Sequence, residues 1–201
     1  DAKTAVRFLR KNAEAFKIDP DNFGSIGWSA GGWSTYFLGF TDARDTIEAE
    51  DSLGRPMIVP MEPEGRLYPE YSSQVQAIAP NSGSALHRHV IPCLQKKSAD
   101  EIPPALIIEG LNQNHSSDYK YAEVLEEKGA IYELFFPPEM GHADPLRSEK
   151  EGYDHTPKVI DFFKTHLTGQ TVSNSSSPAV QAWQHSTVLP PATGFYNLRG
   201  R

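Results

Sequence analysis

The chain is poor in cysteine, in basic charge and in long apolar runs, and each shortage narrows what it can be. Its one cysteine, Cys93, has no partner for an internal disulfide, so the fold cannot rest on a disulfide framework and no redox compartment is implied. No partner pattern for metal binding or thiol chemistry surrounds it, and a small core residue is expected. Lys and Arg number 19 against 26 Asp and Glu, a net charge of −7. No basic patch interrupts that balance, which argues against nucleic acid as a partner. No apolar run is long enough to cross a bilayer, so a membrane partner is not expected; a soluble chain, secreted or cytoplasmic, fits. With 38% hydrophobic and 22% charged residues, the 201-residue chain has the composition of a globular domain with one core.

Apolar spacing organises residues 1–167. Ala5, Phe8, Leu9, Ala13 and Phe16 recur at three- and four-residue intervals, which predicts an amphipathic helix over 1–17, closed by Ile18-Asp19-Pro20. Short apolar runs at 22–26, 74–79, 105–108 and 130–136 predict strands. Helical patterns at 33–40, 119–128 and 153–167 fall between and after them, with Val159, Ile160, Phe162 and Phe163 expected to face inward in the last. Strands alternating with helices predict an α/β fold with a mostly parallel sheet and helices on both faces. Residues 42–73 hold Pro56, Pro60, Pro63 and Pro69 and show little periodicity, so a long loop, mobile or lid-like, is expected there. From residue 168 a Ser-rich polar linker and an aperiodic tail run to Arg201. No strand precedes the first helix. The expectation is therefore a carboxyl-terminal portion of a larger sheet, with its first strands upstream of Asp1.

Two segments carry chemistry. Gly27-Trp28-Ser29-Ala30-Gly31 is a G-x-S-x-G pentapeptide between a predicted strand and a predicted helix. Strand, sharp turn and helix are the setting in which such a serine is lifted clear of the chain, with the next amide aimed at an oxyanion. Ser29 is thus the candidate nucleophile, Ala30 N–H a candidate oxyanion donor, and Trp28 a residue placed to shape the acyl or alcohol pocket. The alternatives are a glycine-rich turn around a bystander serine and a Trp28 that only packs above the sheet. The second segment is Glu139-Met140-Gly141-His142, just after the last predicted strand. Catalytic groups of open α/β sheets lie at such carboxyl ends, and a histidine there can take the serine proton and return it to a leaving group. His87-Arg88-His89 lacks a third ligand, so no metal is expected, and the remaining histidines read as surface or helix-end residues.

Ile18-Asp19-Pro20-Asp21-Asn22-Phe23 and Gly27 to Gly32 resemble the approach to the nucleophile in carboxylesterase-type α/β-hydrolases. Ser72 to Ala77 and Pro103 to Gly110 resemble the same group, with acetyl- and feruloyl-esterase-like enzymes nearest and hormone-sensitive-lipase-like esterases beside them. The resemblance spans about residues 1–167. It implies the α/β-hydrolase fold, no metal and no cofactor, Ser29 as nucleophile, His142 as base and a small-molecule ester as substrate, carbohydrate-linked acetyl or feruloyl esters included. Two departures stand out. The family's acid follows the strand ending near Gly110, where this chain has the amides Asn112 and Gln113. The nearest downstream carboxylate is Asp118, which reads more readily as a helix-start residue favoured by the macrodipole than as the acid. The family's glycine-rich oxyanion loop has no counterpart after Asp1. A hydrolase-like binding domain with weak or no turnover, and a prolyl-oligopeptidase-type peptidase domain, are the rival readings; the oligomeric state is not legible.

Overall fold

Four short apolar segments lie side by side in one parallel sheet. The computed structural model describes residues 1–50, 52–142 and 144–167; the expected linker and tail at 168–201 lie outside the described residues. The chain opens with helices α1 (Ala2–Lys11) and α2 (Ala13–Phe16), then strand β1 (Gly24–Trp28) and helix α3 (Ala30–Phe40). Strands β2 (Thr46–Glu50) and β3 (Pro56–Pro60) precede β4 (Ala77–Asn81), helix α4 (His87–Leu94), β5 (Ala105–Ile108), helix α5 (Ser116–Lys128) and β6 (Tyr132–Phe135). The two-residue strands β7 (Arg147–Ser148) and β8 (Tyr153–Asp154) lead into helix α6 (Thr156–Leu167). The sheet order is β1-β4-β5-β6, all parallel. Each step is a strand, a crossover containing a helix and a neighbouring parallel strand, as the alternating pattern requires.

The pleat divides the core in two. Ile78, Ala105 and Ile107 face one side, where Val6, Tyr36, Phe40, Val90, Leu94, Tyr121 and Leu125 from α1, α3, α4 and α5 meet them. Ala77, Ala79, Leu106 and Ile108 face the other, under Val159 and Phe162 of α6. Successive residues of a strand point to opposite faces, so a strand covered on both reads as an unbroken apolar run. That is why Ala105-Leu106-Ile107-Ile108 carries no alternation. Tyr36 and Tyr121 stack at 4.1 Å between ring centroids, a pairing worth about 0.5–1.5 kcal/mol beyond its burial. Cys93 is fully buried in α4, and burial pushes its thiol up to about 11.

Three expectations need correction. The helix expected over 1–17 breaks at Asn12, and its buried residues are Val6, Arg7 and Ala13, whereas Phe8, Leu9 and Phe16 are exposed. Arg7 is drawn inward by two distant partners, Glu62 at 2.7 Å and the Leu67 carbonyl at 2.9 Å, and by Thr4 one turn back on its own helix. The stretch 42–73 is not all loop, because β2 and β3 form an antiparallel ribbon pairing Thr46 with Pro60 and Glu50 with Pro56. Its prolines sit at the ends of β3, the positions where a missing N–H costs a strand least. Helix α6 starts three residues late because residues 153–154 pair with 147–148 and the Asp154 carboxylate accepts the Thr156 N–H at 2.9 Å. Within α6, Val159 and Phe162 are buried and Ile160 is exposed.

Candidate active site

The turn from β1 to α3 puts Ser29 in a left-handed backbone conformation, φ 50° and ψ −113°. A non-glycine residue there is strained by about 1–3 kcal/mol and persists only where its surroundings hold it. They do: Ser29 N–H donates to the Asn81 carbonyl at 2.9 Å, and Trp33 N–H closes the first turn of α3 on the Ser29 carbonyl at 3.1 Å. Gly27 is sterically required, since a Cβ there would lie 2.3 Å from the Gly31 carbonyl oxygen. The first amides of α3, Ala30 N–H among them, have no acceptor within the helix and face its positive end.

His142 comes from the loop after β6. Its Nε2 lies 3.1 Å from Ser29 Oγ, so the two residues singled out 113 positions apart share one hydrogen bond. For Nε2 to accept the hydroxyl proton, the imidazole proton must sit on Nδ1. The loop is seated from below and from the side. A Cβ at residue 110 would meet the Met140 carbonyl oxygen at 2.1 Å, so only glycine lets the β5 end pass beneath it. Met140 is buried, Leu111 N–H reaches the Pro137 carbonyl at 3.1 Å, and Gly141 N–H reaches Asp144 Oδ2 at 2.7 Å. The Asp144 carbonyl accepts from Trp28 Nε1–H at 3.1 Å and from Asn81 Nδ2–H at 3.4 Å. Neither Asn81 nor this use of the Trp28 indole was anticipated. The only hint is the turn chemistry of Pro80-Asn81-Ser82-Gly83 at the end of β4.

The three candidates for the acid position are not gathered at His142. Asn112 is exposed and Gln113 half-buried in the loop after β5, and among the described residues no hydrogen bond or ion pair joins either of them, or Asp118, to His142. Asp118 is buried in the first turn of α5 with its Oδ2 3.3 Å from His115 Nδ1. His115 Nε2–H donates to the Leu111 carbonyl at 2.9 Å, which ties the acid-position loop to α5. Burial pushes the Asp118 carboxyl up to about 6 from 3.8, with hydrogen bonds from Ser84 and His115 opposing the rise. The folded state then binds this proton more tightly than the unfolded chain. The group's contribution to stability is complete below about pH 4 and is lost as the pH rises through 6, by at most about 3 kcal/mol. Asp118→Asn, neutral throughout, is expected to be more stable than the native chain at pH 7 and to lose that advantage at pH 4. Urea unfolding at both values measures it, and a pH-independent difference would contradict burial as the cause.

Neither imidazole nitrogen of His87 is open to a metal, as they lie 3.0 Å from Ser117 Oγ and 3.2 Å from Lys120 Nζ. Among the described residues no helix is long and apolar enough to cross a membrane.

Residues 1–84, the stretch containing the elbow, match the family model BD-FAE, which represents an esterase-type α/β-hydrolase family. No curated protein matches the chain. A truncated carbohydrate esterase from gut microbiota shares 21% identity and superposes with a TM-score of 0.63 over 83% of this chain and 67% of its own. The chain has the α/β-hydrolase fold. A bifunctional GH43-CE protein of Bacteroides eggerthii (22% identity, TM-score 0.60) is covered over 26% of its length by 82% of this chain. A thermophilic esterase of the planctomycete Thermogutta terrifontis (17% identity, TM-score 0.60) is covered over 65% by 87% of this chain. The hydrolase fold described here thus spans two thirds or less of these proteins' lengths. It includes the end of the sheet where the turn carrying Ser29 and the loop carrying His142 meet.

Proposed function

We propose that the chain is a serine hydrolase that cleaves carboxylic esters through an acyl-enzyme intermediate. The observation that carries this reading is the 3.1 Å contact between His142 Nε2 and a strained, elbow-borne Ser29. Ser29 Oγ attacks the ester carbonyl as His142 takes its proton; the alcohol leaves with that proton, and a water activated by the same imidazole releases the acid. Ala30 N–H stabilises the oxyanion at the positive end of α3. No metal or cofactor is needed by this route. Trp28 borders the site on the nucleophile side. Small esters are the substrate class; the carbohydrate esterases among the structural neighbours, one an acetyl ester-xyloside bifunctional hydrolase, favour acetyl groups on sugars, and the sequence resemblance adds feruloyl groups. A second reading, a binding domain with weak turnover, draws on the lack of any contact between His142 and a carboxylate among the described residues. Steady-state hydrolysis of p-nitrophenyl acetate, methyl ferulate and an acetylated xylooligosaccharide separates the two. Turnover of at least one, lost on phosphonylation of Ser29, is the expected result; binding of the sugar ligand without hydrolysis would support the second reading instead.

A further inference from the structure

The histidine of a serine hydrolase must be held in position by something, and in this chain the described residues offer its ring no carboxylate. What they offer is a strap on its loop. The Asp144 carbonyl, two residues beyond His142, receives the Trp28 indole N–H at 3.1 Å and the Asn81 amide at 3.4 Å. Trp28 immediately precedes the nucleophile. Asn81 is fully buried, and its own carbonyl fixes the Ser29 N–H at 2.9 Å. Asn81 is itself steadied by Ser82 Oγ–H at its Oδ1, 3.0 Å away. Asn81 therefore holds both the nucleophile's backbone and the base's loop, and Trp28, the residue before the nucleophile, holds that loop beside it. Asp144 turns its side chain back to the Gly141 N–H at 2.7 Å, which ties Asp144 to the residue before His142.

Resting on the hydrolase reading above, we propose that Trp28 is a positioning residue: its indole N–H, with Asn81, straps the Asp144 carbonyl and so sets the distance between His142 Nε2 and Ser29 Oγ. This differs from the pocket-wall role expected of Trp28 from its place in the motif. A wall acts on substrate binding; a strap acts on the reactivity of Ser29 and only while His142 is there to be placed.

Trp28→Phe keeps an aromatic face and removes the N–H donor. Because Trp28 is about a third exposed, the variant is expected to fold. Its phosphonylation by a fluorophosphonate is expected to slow by about 10- to 100-fold, the penalty for misplacing a reacting group by a fraction of an ångström to an ångström. With an ester substrate, kcat should fall and KM should not change. On a His142→Ala background the same substitution should have no effect, since coupled residues are non-additive. A crystal structure of Trp28→Phe should show the 141–144 segment displaced and the Ser29–His142 hydrogen bond lost. A change confined to KM, an equal loss with and without His142, or an undisturbed Ser29–His142 contact in the crystal would each overturn the strap. An intact chain that no fluorophosphonate labels would instead overturn the hydrolase reading, while the crystal structure of the variant still decides the strap.

Discussion

Ser29→Ala is expected to lower kcat for ester hydrolysis by about 10⁶-fold, and His142→Ala by a comparable factor, with the double variant scarcely worse than either. The non-additivity follows from the geometry. In the proposed mechanism the serine gives up its proton through one hydrogen bond, Oγ–H to Nε2 at 3.1 Å, so removing either end removes the same step. Alanine at position 29 inherits the same left-handed backbone and the same Asn81 carbonyl contact, so the variant should fold and melt like the native chain. Activity that survives at more than a small fraction in Ser29→Ala would place the chemistry elsewhere. Losses that multiply in the double variant would mean that the two residues act on different steps.

A carboxylate introduced at the acid position is expected to raise kcat. In a serine protease the reverse change, acid to amide beside the catalytic histidine, costs about 10⁴-fold through the wrong tautomer. This chain carries Asn112 and Gln113 in the corresponding loop, and neither contacts His142 among the described residues. Asn112→Asp or Gln113→Asp should therefore recover part of that range, on the order of 10- to 100-fold where the loop lets the new carboxylate reach Nδ1. Asp118→Asn should cost far less than 10⁴-fold, because the Asp118 carboxyl is committed to His115 and Ser84 within the α5 side of the core. Rates for the three variants with one ester at pH 7 decide it. A collapse on Asp118→Asn would make Asp118 the working acid, and no gain from either introduced aspartate would show that His142 gains nothing from a carboxylate in that loop.

Much of this arrangement was readable before any coordinates, and the reasons are local. Ser29 sits in a pentapeptide whose first glycine has a steric purpose, and the 2.3 Å approach at Gly27 is that purpose seen directly, whereas a Cβ at Gly31 would meet nothing within 4 Å. The strands β4 and β5 announce themselves because strands buried on both faces are short apolar runs, while β1 and β6, at the sheet's edges, are partly exposed. Other features of the fold, and the grip on the histidine loop, were hidden for the opposite reason. Arg7 is buried by Glu62, 55 residues away, and a charged side chain in a sequence says nothing of such a partner. The ribbon of β2 and β3 is masked by prolines that the ends of a strand tolerate. The grip on the histidine loop passes through the Asp144 carbonyl, and a backbone acceptor leaves no mark in the sequence at all. Asp118 showed the right residue type in the right region, yet only packing reveals that it faces His115.

A nucleophilic Ser29 activated by His142 should be open to covalent capture. Intact-protein mass spectrometry after incubation with a fluorophosphonate, followed by peptide mapping, tests it most directly. One phosphonyl adduct per chain is expected, located on Ser29, absent in Ser29→Ala and greatly slowed in His142→Ala. Labelling at another serine, or an intact chain that takes up no adduct, would contradict it.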